Sequence, residues 1–270
     1  MDTLPPRPER LTLDALIDAA LAAGAEIMAV YAGDFAVIEK PDATPVTEAD
    51  LRAEAVILAR LEAIAPGVPV VAEEAAAAGI VPEIADRFFL VDPLDGSKEF
   101  IARNGEFTVN IALVEHGVPV AGVVYAPALG TIWWGEAGRG AFAATTAGGG
   151  MSAPRAIACG PCAPDGMRVV GSRSHAGSAE ADYLKTIPVA AVVTAGSSLK
   201  FCLLAEGRAD LYPRFGRTME WDTAAGDAIL RAAGGTVETL DSRPLAYGKR
   251  NQQGETDFAN PHFIARAGRG

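Results

Sequence analysis

DPLDGSKEFIARNGEFTVNIALVEHGVPVAGVVYAP, residues 92–127, is the stretch that decides the fold. It begins with two aspartates on either side of a proline and continues into β-branched and apolar runs separated by turn formers. Such runs predict an antiparallel meander that continues beyond the quoted stretch. The predicted strands are residues 108–116, 118–126, 131–136 and 140–144.

The residues before this stretch predict two helices and two short strands. Residues 11–32 place apolar side chains at three- and four-residue spacing and end at Gly33, which is typical of an amphipathic helix. A second helix is predicted from Thr47 to Ile64, with Thr47 and Asp50 forming a capping box at its start. Short buried strands, each running directly into carboxylates, are predicted at residues 68–72 and 88–91.

The pattern changes after the glycine-rich segment AGGGMS, residues 147–152. Between residues 167 and 240, predicted strands alternate with predicted helices, a pattern typical of a layered α/β arrangement. We therefore predict an α+β half over residues 1–148 and an α/β half over residues 149–270. The last stretch, residues 246–270, is turn-rich and predicts little about its structure.

The chain has 270 residues, of which 34 are acidic and 23 basic, and its formal net charge of -11 argues against general binding to nucleic acid polymers or anionic lipid. A phosphorylated ligand therefore needs a local source of positive charge. Bound cations supply it most simply, because carboxylates hold the metal that attracts the phosphate. The odd cysteine count and the lack of a signal core or a long apolar run predict a cytoplasmic protein without a transmembrane segment. The cysteines are Cys159, Cys162 and Cys202.

Carboxylates lie at three predicted strand or helix ends: Glu73 with Glu74, Asp92 with Asp95, and Asp222. Magnesium prefers hard oxygen ligands, and two such ions about 4 Å apart activate a water and stabilise a leaving oxygen. A proline and a glycine in DPLDG allow Asp92, Asp95 and a backbone carbonyl to converge. Taken singly, each group also has a plainer interpretation as a surface turn, a solvated glutamate pair or a helix cap.

Together, Asp50, the glutamate pair, DPLDGSKEF and WDTAAG resemble, in order and spacing, the lithium-sensitive inositol monophosphatase superfamily. Three longer strings narrow the resemblance to its CysQ-type branch, the 3'(2'),5'-bisphosphate nucleotidases: residues 92–127, 196–216 and 221–229. The resemblance covers nearly the whole chain. It implies an inositol monophosphatase-like (sugar phosphatase) fold, a layered αβαβα sandwich, and a protein that often forms homodimers.

The resemblance also implies the roles of the acidic residues. One magnesium ion would be bound by Glu73, Asp92 and the carbonyl of Leu94, and a second by Asp92, Asp95 and Asp222; a third ion is left open. Glu74 would support this site. The catalytic pair would be Asp50 and Ser97, with Glu73 helping to orient the water. Ser97 departs from the threonine of the family, and because serine keeps the hydroxyl but lacks the stiffening methyl, we expect activity at a lower rate.

The substrate pocket is predicted around the turn at residues 196–198, which opens a helix whose free amides favour an anion. Lys200 and Arg214 are candidates for binding a second phosphate, although each alone is more typical of solvated surface charge. The resemblance implies further substrate contacts at Gly96, Ser97, His175, Ser197 and Asp222. We expect His116 and His262 to be exposed. Trp133 and Trp134 in the meander are typical of core or interface residues, and an exposed meander there would be available for a dimer interface.

These features lead to the hypothesis of a magnesium-dependent, lithium-sensitive phosphomonoesterase that converts adenosine 3',5'-bisphosphate to AMP and phosphate by in-line attack of water. Inositol monophosphate and fructose 1,6-bisphosphate remain alternative substrates. A non-catalytic, regulatory phosphometabolite-binding protein and a protein with purely structural metal remain alternatives of other classes. The oligomeric state and peripheral attachment to the inner face of the membrane are left open.

Overall fold

The computed structural model describes residues 13–39, 45–161, 165–172 and 178–268. The helices in these ranges are α1 (Leu13–Tyr31), α2 (Glu48–Ile64), α3 (Glu73–Ala77), α4 (Ser97–Ile101), α5 (Ser178–Leu184), α6 (Leu199–Ala205) and α7 (Glu220–Ala232). The strands are β1 (Val37–Glu39), β2 (Pro45–Thr47), β3 (Val70–Ala72), β4 (Arg87–Asp95), β5 (Thr108–Glu115), β6 (Val118–Ala126), β7 (Thr131–Glu136), β8 (Gly140–Ala147), β9 (Gly150–Met151), β10 (Arg155–Ile157), β11 (Met167–Ser172), β12 (Val189–Ala195), β13 (Leu211–Arg214), β14 (Thr236–Thr239) and β15 (Phe263–Arg266).

The elements stack in five layers, which confirms the predicted αβαβα sandwich. Helices α1 and α2 cover one face of a large sheet ordered β10-β8-β7-β6-β5-β4-β3, with β9 attached to β8. Helices α6 and α7 lie between this sheet and a second one ordered β12-β11-β13-β15-β14. Helix α5 packs on the outer face of the second sheet. The antiparallel order β5-β6-β7-β8 confirms the predicted meander.

Strand β4 shows why the sequence around the first aspartates forms a central strand. Phe89 and Val91 face α1 and α2, whereas Phe88 and Leu90 face the middle helices. Because both faces of the strand are covered, its side chains form a continuous apolar run. The pairing with β5 shifts register between Asp92 and Asp95, so β4 ends as an irregular segment that carries both carboxylates.

Helix α7 lies unusually close to the large sheet because two glycines face it. Gly122 on β6 and Gly135 on β7 are directly opposite each other in the ladder. A Cβ atom on Gly122 would lie 2.5 Å from the carbonyl oxygen of Ala225, and one on Gly135 would lie 2.9 Å from the Cα of Ile229. Because neither glycine has a side chain, α7 packs directly against the sheet at this point. This helix carries Asp222 in its first turn.

One strand lies in a stretch with little local signal, and one expectation from the sequence is wrong. Phe263–Arg266, within the turn-rich last stretch, form β15 between β13 and β14, because pairing on both sides orders a short run that has no strong local signal. Trp133 and Trp134 are not exposed: both are buried, on opposite faces of β7, because neighbouring residues of a strand point to opposite sides of a sheet covered on both faces. Trp133 and Trp134 therefore do not offer an exposed surface for a dimer interface, and the homodimer stays a prediction.

Other expectations fare differently. The capping box of Thr47 and Asp50 is confirmed, and His116 and His262 are exposed as expected. The division of the chain at residue 148 stays a prediction, and β9 and β10, which follow it, still belong to the large sheet. In the described ranges, no helix has both the length and the apolarity needed to span a bilayer.

Candidate active site

A cavity of about 480 Å³ opens where β4, α3, α4, α6 and α7 meet. The predicted site residues that line it are Glu73, Asp92, Leu94, Asp95, Gly96, Ser97, Ser197, Lys200, Arg214 and Asp222. The structure therefore brings together carboxylates separated by up to 149 positions in the chain. Glu74 is buried beside Glu73 and does not belong to this lining, and His175 lies outside the described residues.

The ends of three elements deliver the carboxylates. Glu73 is the first residue of α3, directly after β3, and Asp222 lies in the first turn of α7. Between Asp95 and Ser97 the chain turns sharply at Gly96, whose φ of 96° lies in the left-handed region that favours glycine. A Cβ atom there would also come within 3.3 Å of the carbonyl oxygen of Glu106. Ser97 consequently starts α4 facing the cavity.

The four clustered carboxylates are buried or partly buried, and their negative charges repel one another. Burial raises the pKa of Asp92 well above its usual value, and the charges of Glu73, Asp95 and Asp222 raise it further. Burial also raises the pKa of Asp222, and the charges of Asp95 and Glu73 raise it further. The donor set is entirely oxygen, which is the chemistry that magnesium prefers, so these residues fit a divalent cation that would offset the repulsion.

Hydrogen bonds orient individual carboxylates within the cluster. Asp95 Oδ2 accepts hydrogen bonds from Ser197 Oγ at 2.7 Å and from Asn110 Nδ2 at 3.4 Å. Asp222 Oδ2 accepts one from the backbone amide of Met219 at 2.8 Å. In the part of the chain that the structure describes, no three His, Cys, Asp or Glu side chains already have the spacing of a formed metal site.

Asp50 connects a helix cap to the cavity. Its Oδ2 accepts hydrogen bonds from the amide and the hydroxyl of Thr47, both at 2.8 Å. Its Oδ1 accepts the hydroxyl of Ser97 at 3.4 Å. Asp50 is 1% exposed, so water does not compete for these contacts. The residue is therefore both the capping residue of the plainer interpretation and the partner of Ser97.

The opposite side of the cavity is basic. Lys200 Nζ donates to the carbonyl oxygens of Ser197 at 2.6 Å and Ala195 at 3.3 Å, and burial lowers its pKa to about 8. Arg214 is buried and donates from Nη2 to the carbonyl of Arg217, whereas its Nε has no hydrogen-bond partner among the described residues. The cavity thus has an acidic side and a cationic side.

Several residues that line the cavity were not predicted from the sequence: Lys98, Glu99, Arg217, Thr218 and Thr223. Arg217 is the most informative of them, because its carbonyl accepts a hydrogen bond from Arg214 and its side chain adds an exposed cation to the lining. Its position three residues after Arg214, in a loop containing Gly216, was the only available signal. A lone arginine in a loop is usually solvated, so only the folded loop reveals that it borders the cavity.

Comparisons with known proteins agree on one family. The model of the inositol monophosphatase family matches residues 9–267. The 3'(2'),5'-bisphosphate nucleotidase CysQ of Shigella flexneri is 45% identical over 253 residues, which are 93% of this chain and 98% of that protein. The crystal structure of CysQ from Bacteroides thetaiotaomicron has a TM-score of 0.78 and 40% identity, covering 96% of this chain and 97% of that one. An inositol monophosphatase from Anabaena has a TM-score of 0.72 and 28% identity, with 95% and 90% coverage.

Proposed function

Because the chain belongs to the inositol monophosphatase family, we propose that it is a 3'(2'),5'-bisphosphate nucleotidase, a phosphomonoesterase that converts adenosine 3',5'-bisphosphate to AMP and phosphate. The observation that carries this proposal is the polarised cavity, whose lining combines the carboxylates of Glu73, Asp92, Asp95 and Asp222 with two buried cations, Lys200 and Arg214. The name of the relative that is 45% identical over nearly its whole length supports the same substrate.

Magnesium use is typical of the family, and the oxygen donors of the cavity fit this ion. We assign one ion to Glu73, Asp92 and the Leu94 carbonyl, and a second to Asp92, Asp95 and Asp222; the number of ions during turnover stays a prediction. When bound, these ions supply the positive charge that activates water and stabilises the leaving oxygen. Asp92 belongs to both groups, so its loss should impair the site most.

Ser97 and Asp50 orient the attacking water in this proposal. Asp50 Oδ1 accepts a hydrogen bond from Ser97 Oγ, with 3.4 Å between the two oxygens. The lone pairs of the serine oxygen are therefore left to accept a hydrogen bond from a water in the cavity. Glu73 supplies a second acceptor on the same side. Ser97 has more rotational freedom than a threonine, so the water is held less firmly.

The cationic side favours a substrate with two phosphates. The positive charge of Arg214 opposes that of Lys200, so an anion between them relieves repulsion. Two of the three Lys200 donors are used by carbonyls, and Arg214 Nε is unpaired, which leaves donors for a phosphate. A monophosphorylated inositol, once its phosphate lies among the carboxylates, has no second phosphate to bind these donors.

Phosphate release from adenosine 3',5'-bisphosphate, inositol 1-phosphate and fructose 1,6-bisphosphate tests the proposal, each measured with magnesium, with EDTA and with lithium. We expect the adenosine compound to have the highest kcat/KM, EDTA to abolish turnover, and lithium to inhibit it. Asp92→Asn should reduce turnover by at least roughly 100-fold, because it removes one charge from two ion sites. Near-normal turnover of this variant, or equal rates on all three substrates, would contradict the proposal, and binding without turnover would favour the regulatory alternative.

A further inference from the structure

Helix α3, which carries Glu73, has no capping side chain of its own. It spans only Glu73–Ala77, and its N-cap residue is Ala72, whose methyl group accepts no hydrogen bond. The first amides of a helix have no partner within the helix, and they need an acceptor when they are not solvated. The strand before it, β3, has three residues. Neither element is long enough to hold Glu73 rigidly by itself.

Glu54 of α2 supplies the missing acceptors from 20 positions earlier in the chain. Its Oε2 accepts the amide of Glu74 at 2.9 Å, and its Oε1 accepts the amide of Ala75 at 2.9 Å. Glu54 is 7% exposed, so both bonds are formed in a largely water-free environment. Hydrogen bonds to an ionised carboxylate are stronger than those between neutral groups.

The same helix also determines the position of Ser97. Asp50 and Glu54 are one helical turn apart, so they lie on the same face of α2. Asp50 contacts Ser97, and Glu54 contacts the two amides that follow Glu73. Helix α2 is anchored in turn by fully buried residues such as Ile57 and Leu61. One rigid element is therefore connected to both sides of the proposed water position.

We infer that Glu54 is a positioning residue, which holds Glu73 in place for magnesium binding by clamping the two amides that follow it. This inference rests on the proposed function. Without the clamp, the backbone of Glu73 would be held only by the three-residue β3 and the five-residue α3, so magnesium binding would have to order it. Groups that orient metal ligands without touching the metal typically change metal affinity 10- to 100-fold when removed.

Glu54→Gln tests the inference, because glutamine keeps the shape but opposes one backbone amide with an NH₂ group. We expect the dissociation constant of Mg²⁺ for the metal-free protein, measured by isothermal titration calorimetry, to rise at least tenfold. Glu62→Gln, the same change at an exposed position of α2, should stay within twofold of the unmodified protein. A purely structural cap would lower the Tm in EDTA and leave the dissociation constant unchanged, which would overturn the inference.

Ala72→Ser gives a rescue test, since Ala72 already has the extended backbone of an N-cap and serine supplies the acceptor that it lacks. Added to Glu54→Gln, it should restore most of the lost magnesium affinity; failure to restore any would overturn the inference. If Glu54→Gln does not fold, hydrogen–deuterium exchange of the unmodified protein in EDTA decides. Slow exchange in the peptide 72–78 is expected, and exchange at the rate of an open loop would overturn the clamp.

The proposed function and the role of Glu54 can fail independently of each other. If the unmodified protein binds Mg²⁺ and Glu54→Gln weakens that binding, but no phosphate is released from any of the three substrates, the proposed function fails and the role of Glu54 stands. If the unmodified protein hydrolyses the bisphosphate and Glu54→Gln binds Mg²⁺ with unchanged affinity, the role of Glu54 fails and the proposed function stands.

Discussion

Replacing Gly122 with alanine should displace the helix that carries Asp222. The new Cβ atom would lie 2.5 Å from the carbonyl oxygen of Ala225, about 0.9 Å closer than an ordinary contact of 3.4 Å. It would also lie 2.9 Å from the Cα of Ala225 and from the Cβ of Ala228. Two of these three atoms belong to the helix backbone, so no side-chain rotation removes the clash. Helix α7 or strand β6 must move.

The expected cost of this overpacking is about 2 kcal/mol of the free energy of unfolding. For a chain of this size, that corresponds to a decrease in Tm of roughly 5 °C. Asp222 lies one helical turn before Ala225, so most of the displacement should reach its carboxylate. A shift of nearly 1 Å at a site that positions reacting groups reduces kcat/KM by roughly 100-fold.

The assay pairs thermal denaturation in EDTA with magnesium-dependent phosphate release from adenosine 3',5'-bisphosphate. Gly33→Ala is the matched control, because Gly33 is exposed, its φ is not in the left-handed region, and the nearest atom to its new Cβ is at 3.8 Å. The control should keep both Tm and turnover. If Gly122→Ala also kept the Tm and turnover of the unmodified protein, the close packing of α7 on the sheet would not determine the position of Asp222.

Three further predictions concern charges and hydrogen bonds. Hydrogen bonds from Arg168 lower the pKa of Asp210, so the stabilisation from this pair is complete above the unfolded pKa of about 4 and is lost as the pH falls through the folded value. Asp210→Asn should cost roughly 3 kcal/mol at pH 7, and its Tm deficit should shrink at acidic pH; a deficit independent of pH would count against the pair. Lys200, with its pKa at about 8, loses its charge above that pH, so KM for the bisphosphate should rise there, whereas Lys200→Met should have a high KM with no such rise. Tyr247→Phe removes a 3.0 Å hydrogen bond to buried Asp227 and should cost about 1 kcal/mol in denaturant unfolding, and an unchanged midpoint would refute this.

Local patterns were sufficient for much of the fold. The apolar run before Asp92 predicted a buried strand, and the Thr47 and Asp50 spacing predicted a capping box that the structure contains. Both signals depend on neighbouring residues, so the chain shows them before it folds. The strand Phe263–Arg266 had no such signal, because its order comes from β13 and β14, which are 24 or more positions away.

The candidate site was likewise only partly predictable from the sequence. Glu73, Asp92, Asp95 and Asp222 were found from motifs whose order resembles a known family, and the structure places all four around one cavity. Arg217 was missed, because a single arginine in a loop has no distinctive pattern.

The sequence by itself determined most of the strands, helices and turns, and which acidic residues stand at their ends. Only the tertiary structure decided that Glu54 serves α3, that Ser197 bonds to Asp95 from 102 positions away, and that Gly122 admits α7 so closely. The physical reason is the separation along the chain over which each interaction acts. Backbone propensity and capping act over a few residues, whereas acceptors for buried amides and space for a helix depend on which distant segments pack together.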